Sequence, residues 1–232
     1  MKTLVKIFAF CLLFVIGFNS WQSLYAASSG AYSNSRIDSL YEQLNLQEEG
    51  LSKQAFAFAY KGFRRLVQSH IIDNNDYLVI CDFSQSSKKK RLYVVDLSSG
   101  TVLLTSFVAH GRRSGGEFAT RFSNRPESQQ SSLGFYISKE TYFGEHGLSL
   151  RLAGLEKGIN DKAMRRNIVI HGADYIGESW LRRGSMMGRS YGCPALPRKE
   201  SDRIIETIKK GSCIFIYYPS LKYLNGSKIL ND

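Results

Sequence analysis

Residues 77–109 read YLVICDFSQSSKKKRLYVVDLSSGTVLLTSFVA. Three runs within this stretch, YLVICDF, RLYVVDL and TVLLTSFVA, are dense in β-branched and aromatic residues. Ser, Lys and Gly separate them, which is the composition of short strands joined by turns. DLSSGT is a turn signal between the second and third runs, and KKKR at 88–91 falls between the first two, where it reads as a solvated hairpin turn. Four more runs continue the pattern: GFYIS (134–138), LSLRL (148–152), NIVIH (167–171) and SCIFIYY (212–218). No long helical pattern separates successive runs, so nothing calls for parallel crossovers. The expected fold class is α+β, with a mainly antiparallel β sandwich or barrel-like domain.

Helical signals lie outside this block. SRID at 35–38 resembles a helix cap, with Ile37, Leu40, Tyr41 and Leu44 following at helical spacing. A second helix is predicted from Ser52, because Phe56, Ala59, Phe63 and Leu66 recur every three or four residues. RKESDRIIETIKKG (198–211) puts Ile204, Ile205 and Ile208 on one face and ends at Gly211, a helix of about three turns. The expected organisation is a leader over 1–27, a linker and helical N-terminal arm over 28–69, and the main domain over 70–232, with the arm packed on that domain.

The leader is read from its first residues. Lys2 and Lys6 precede an apolar run from Ile7 to Phe18, and small residues follow at Ala26 and Ala27, the order of a secretory signal peptide. The run is too short to cross a bilayer comfortably. Leu24 or Tyr25 stands where a small residue is favoured before the cut, so an uncleaved inner-membrane anchor is a second reading. The location expected is periplasmic or otherwise extracytoplasmic, with no integral membrane domain once the leader is removed. The net charge is +11; losing Lys2 and Lys6 leaves +9. Outside the cytoplasm such a field favours cell-wall polymers and anionic head groups rather than nucleic acid.

Of the four cysteines, Cys11 belongs to the leader. Cys81 and Cys213 lie inside apolar runs, where a thiol acts as a small core hydrophobe. Cys193, in GRSYGCPALP (188–197), has no such surroundings, and an odd count in an oxidising compartment leaves at least one thiol unpaired. Gly192 permits a tight backbone there, and the amides of Gly192 and Cys193 are read as free to face a developing negative charge. Pro194 has no amide to donate and stops a strand from running through. A thiolate nucleophile needs a base close by. His110 in VAHGRR and His171 in VIHGAD both end an apolar strand and precede glycine, so the residues alone leave both as candidates. His146 in GEHGLS has loop-like neighbours and ranks behind them; His70 reads as a surface or capping residue. No close ligand pair such as C-x-x-C or H-x-x-x-H is present, so neither a metal nor another cofactor is expected.

A strand ending in VIHG, then a loop, then Ser-x-Gly-Cys resembles the signature of the L,D-transpeptidases, the wall cross-linking enzymes with a YkuD-type catalytic domain. SSLGFYI (131–137) resembles the segment that enters that domain, and HGADY, GRSYGCPALP and GSCIFIYY together resemble its divergent murein L,D-transpeptidase branch. The resemblance spans about Leu51 to Pro219. It implies Cys193 as nucleophile and His171 as general base, an oxyanion hole in the amides near Cys193, and a loop shaped by Ser190 and Gly192. Tyr191, Arg189 and Gly172 are carried with them as candidate oxyanion or substrate-binding residues.

The implied chemistry is attack on a peptidoglycan tetrapeptide stem with loss of the terminal D-alanine, followed by transfer of the acyl group to an amine of a second stem. Stem peptides and a wall-attached protein are the partners this implies, with cell-wall biogenesis and cell shape as the setting. The chain departs from the pattern at Tyr191, where many members have histidine, and at Pro194 and Ala195, where they have an aliphatic residue and arginine. Arg189 or Arg198 are candidates to replace that arginine. The rival readings are an L,D-carboxypeptidase or another cysteine murein peptidase using the same thiol, and a non-catalytic wall-binding protein. Tyr142 and Trp180 are candidates to line a cleft.

Overall fold

In a computed structural model, residues 35–72, 74–184 and 186–232 are described; the predicted leader, 1–27, lies outside them. Two compact units divide between Glu42 and Gln43. Helix α1 (35–43) contains that boundary, and the sheet and the other helices belong to the second unit.

The apolar runs of the sequence form one eight-stranded sheet. Its strands are β1 (Tyr77–Asp82), β2 (Leu92–Asp96), β3 (Thr101–Ser106), β4 (Gly134–Gly144), β5 (Gly147–Gly154), β6 (Val169–Ala173), β7 (Ala195–Pro197) and β8 (Cys213–Tyr217), in spatial order β3-β2-β1-β8-β4-β5-β6-β7. Five pairings are antiparallel, as the short connections require, and two are parallel, β1 with β8 and β6 with β7. The parallel pairs join strands that are distant in sequence or separated by a long loop, so neither needs a helical crossover. β7 carries no strand signal in the sequence: ALP is three residues long and ends in proline. The chain leaving β3 bridges to β7 at Ala109 and Ala195, so the two edges of the sheet approach each other and the sheet is nearly closed.

Helix α2 (Lys53–Gln68) begins where expected, with the Ser52 hydroxyl accepting from the Ala55 amide. Its predicted face, Phe56, Ala59, Phe63 and Leu66, is buried, and it packs on β1 and β8. The approach is close because Gly62 lies over an aromatic ring; a Cβ there would sit 2.0 Å from Phe135 Cζ. Phe135 in turn stacks on Phe215 of β8 at 4.3 Å between centroids. α3 (Glu178–Leu181) is a single turn in the long loop after β6, and α4 (Arg198–Ile208) buries Ile204, Ile205 and Ile208 against β6 and its neighbours.

Two short C-terminal helices, α5 (Leu221–Gly226) and α6 (Lys228–Asn231), have no periodic signal. They are tied down by Glu156, a buried carboxylate that accepts from the Phe135 amide (2.7 Å), the Tyr223 hydroxyl (3.2 Å) and the Ser227 hydroxyl. Burial raises its pKa against the pull of those donors.

One reading is corrected by the sheet. Lys88, Lys89 and Lys90 are exposed in the β1–β2 turn, but Arg91 is fully buried. Its guanidinium donates to the Val108 and Gln85 carbonyls and to His110 Nδ1. These acceptors offset the cost of desolvating the cation, which a view of KKKR as one solvated run does not anticipate.

Candidate active site

The register of the β6–β7 pair builds the site. His171 is paired with Ala195 in parallel, so Cys193, two residues earlier, arrives beside Val169 at the start of β6. Both side chains line a cavity of about 650 Å³ together with His146, Tyr142, Tyr191, Arg112 and Arg189.

The segment carrying Cys193 is laced to the strand extension that follows β3. Ser190 N donates to His110 O (3.1 Å), Arg112 N to Ser190 O (2.7 Å) and Ala109 N to Ala195 O (2.8 Å). Ser190 closes the turn by itself, donating its hydroxyl to Cys193 O (2.6 Å) while accepting from Gly192 N (3.0 Å). Gly192 has φ +127°, and a Cβ there would lie 2.8 Å from Gln130 O and 3.1 Å from Arg166 Nη2, so the position requires glycine. The expectation that the Gly192 amide is free is corrected here, because Ser190 Oγ takes it. Among the described residues the Cys193 amide donates to no group.

The Cys193 thiol is half-buried, with Sγ 3.7 Å from Asn167 O. Burial raises its pKa, opposed by the Val169 backbone N–H and by the Arg166 guanidinium. Arg166 escaped the sequence reading. It is fixed by the Ser123 carbonyl (2.8 Å), the Ser132 and Ser128 hydroxyls and the Gln130 carbonyl, and it holds a positive charge behind the cysteine turn. Its only sequence signal was a basic residue five positions before His171, which no general rule singles out.

His171 is buried in the middle of β6, not at its end as the sequence suggests, because pairing with β7 carries the strand on through Ala173. Its Nδ1 lies 3.0 Å from Gly172 O, and since a carbonyl only accepts, Nδ1 carries the proton and Nε2 is left as the basic nitrogen. Burial lowers the pKa of the ring, the Gly172 carbonyl opposes that shift, and the charges of His146 and Arg198 add to the lowering. A raised thiol and a lowered imidazole leave both groups neutral at rest.

Gly172 does not line the cavity. A Cβ there would sit 2.5 Å from Ser201 Oγ, so the glycine lets α4 approach β6 and supplies the carbonyl that orients His171.

The other candidates divide. Tyr191 is 66% exposed, with the Arg112 guanidinium 5.7 Å from its ring centre. Arg189 donates to Gly115 O (2.9 Å) and lines the cavity. Arg198 does not line it; it pairs with Asp174 (2.9 Å) and donates to His146 O (2.9 Å). Tyr142 lines the cavity, whereas Trp180 packs beside the cluster of Phe107, Ala109, Ile176 and Met187.

His110 is wholly buried. Its Nδ1 accepts from Arg91 (2.8 Å) and Nε2 faces Gly115 O (3.4 Å), so both ring nitrogens are occupied within the protein. Among the described residues no group of three His, Cys, Asp or Glu side chains has the geometry to hold a metal.

Residues 47–217 match the L,D-transpeptidase catalytic domain family. The chain belongs to that family. Solved structures with similarity include an L,D-transpeptidase from Mycobacterium smegmatis (13% identity, 62% of this chain and 59% of that one, TM-score 0.37) and L,D-transpeptidase 1 from Mycobacterium tuberculosis (11%, 62% and 62%, TM-score 0.34). Bd1075 from Bdellovibrio bacteriovorus is also similar (16%, 61% and 48%, TM-score 0.37). The likeness spans about three fifths of the two mycobacterial structures and half of the third. No curated protein sequence matches. Family membership rests on the 47–217 match. No described helix is long and apolar enough to cross a membrane.

Proposed function

We propose that this protein is an exported murein L,D-transpeptidase that works through a Cys193 acyl-enzyme, with His171 as the general base. The observation that supports the reading is the tautomer of His171: with Nδ1 tied to Gly172 O, the basic Nε2 is the nitrogen left to serve the thiol in the same cavity.

Cys193 Sγ attacks the carbonyl of the diamino acid in a tetrapeptide stem as its proton passes to His171 Nε2. The oxyanion is met by the Cys193 amide, since the Gly192 amide is committed to Ser190. His171 returns the proton to the departing amine, D-alanine leaves, and a thioester remains. An amine of a second stem attacks the thioester, His171 accepts the proton this attack releases, and the thiol is regenerated. The Arg166 guanidinium favours the thiolate character that develops at sulfur. Arg112 and Arg189 on the cavity wall suit substrate carboxylates. Carried out by the leader read from residues 1–27, the enzyme works outside the cytoplasm, where stem peptides and a wall-attached protein are within reach.

Incubation with a carbapenem, read by intact mass, is expected to give one covalent adduct that is absent in Cys193→Ser. Disaccharide tetrapeptides are expected to lose D-alanine and form dimers joined between diamino acids. Release of D-alanine without dimers would make the protein a carboxypeptidase. Binding of murein with neither product would make it a wall-binding protein.

A further inference from the structure

His146 stands at the tip of the β4–β5 hairpin, where its loop-like neighbours gave it little weight. Its imidazole lies flat against that of His171, with ring centroids 4.3 Å apart and planes 21° from parallel. The turn that presents it is not free to swing. Arg198, in the first turn of α4, donates to the His146 carbonyl and pairs with Asp174 just past β6, so three elements are clamped around the two rings. His171 is thereby held from two directions: along its edge by the Gly172 carbonyl and across its face by His146.

We propose that His146 is a positioning residue for the base, whose stacked ring fixes the plane of the His171 imidazole. This rests on the assignment of His171 as the base of Cys193.

At this separation a positive charge on one ring disfavours a positive charge on the other. A neutral His146 leaves the imidazolium formed during thiol attack unopposed, whereas a protonated His146 repels it, which is the direction in which its charge acts on His171. The other titratable or charged groups around the pair are Arg198 from α4, offset by its partner Asp174, Glu145 from the same turn, Tyr142 from β4, and, on the rest of the cavity wall, Tyr175, Arg112, Arg189, Tyr191 and Cys193. No other histidine lines the cavity.

The test is the rate of carbapenem acylation, read by intact mass between pH 5 and 9, for the wild type, His146→Phe and His146→Ala. His146 is exposed apart from its stacked face, so neither variant threatens the fold. His146→Phe keeps a ring and should stay within about twofold of wild type above pH 8, while His146→Ala should fall about five- to tenfold, the size of a lost aromatic stack. In both variants the acid limb should move to higher pH, because His171 then meets no second imidazolium. Equal rates with unmoved limbs in all three proteins would overturn the proposal. A slow His146→Ala with an unmoved limb would also overturn it, reducing His146 to a prop for the turn. A wild type that forms no adduct at any pH would remove the Cys193 assignment itself, and the role of His146 with it.

Discussion

His110 and His171 stand in nearly the same local sequence: an apolar run, then His-Gly. They are put to opposite uses. His110 lies under a buried arginine, and its Nδ1 is an acceptor; the Nδ1 of His171 donates to the next carbonyl and leaves Nε2 for the cavity. One imidazole has both ring nitrogens engaged within the protein, and the other keeps one nitrogen for the cavity, where we propose it acts as the base. The difference lies in what each histidine faces. The extension after β3 turns inward against Arg91, Phe83 and the nearby turns, whereas β6 opens onto the loop that carries Cys193. The same dipeptide therefore carries no function of its own, and the partner offered to Nδ1, a donor for His110 and an acceptor for His171, sets the tautomer of the ring.

The contrast is sharpest in acylation. Replacing His171 with alanine should slow carbapenem acylation of Cys193 by about 10²–10⁴-fold, the usual contribution of a positioned base, with little change in the urea midpoint. His110→Gln should keep the wild-type rate, because Gln still offers Arg91 an acceptor and touches nothing in the cavity. Adduct formation timed by intact mass checks both; a slow His110→Gln with a normal His171→Ala would invert the assignment.

The next effect is in stability. Burial and the nearby Arg91 charge bring the His110 pKa from its ordinary 6.5 down to about 4. A histidine depressed in the fold supports folding above its unfolded pKa and loses that support as pH falls. Between pH 6.5 and 4 the unfolded chain binds a proton that the native protein refuses, which costs up to about 3 kcal/mol. His110→Gln should remove that loss. Its urea-unfolding free energy should fall less than the wild type's between about pH 7 and pH 4.5, with a residual slope because the His171 pKa is lowered in the same sense. Identical slopes would show that His110 is charged in the fold.

The smallest effect concerns the thiols. Burial pushes Cys81 up to about 12, and Cys213 is raised as well, with no cation compensating it; Cys193 is raised too, but Arg166 pulls it back. Arg166→Met should move the pH midpoint of Cys193 alkylation upward and slow acylation about fivefold, the scale of a contact worth about 1 kcal/mol near solvent. An unmoved midpoint would confine Arg166 to bracing the loop around Gln130.

Much of this was readable in one dimension. The seven apolar runs became strands because β-branched and aromatic residues between turn formers have few other ways to bury themselves, and the faces of α2 and α4 followed from their spacing. Cys193 stood out because its neighbours were wrong for a core thiol. β7, α5 and α6 were too short to show a period, and Trp180 looked like a cleft residue only because nothing in its neighbourhood named its packing partners. Arg91 was hidden in a run of lysines. Its burial depends on Val108, Gln85 and His110, which come together only when β2 pairs with β3.

Local periodicity and immediate neighbours are enough to mark most strands and helices, the exceptional cysteine, and the two histidines that follow apolar runs and precede glycine, though neither of the two ends a strand. Folding alone brings His171 rather than His110 into the cavity of Cys193, lays His146 on its ring, and sets Arg166 behind the sulfur. The first two depend on the parallel register of β6 with β7 and on the hairpin clamped by Arg198, the third on the bonds of Arg166 to Ser123, Ser132 and Gln130, all contacts across many residues of chain that no local pattern encodes.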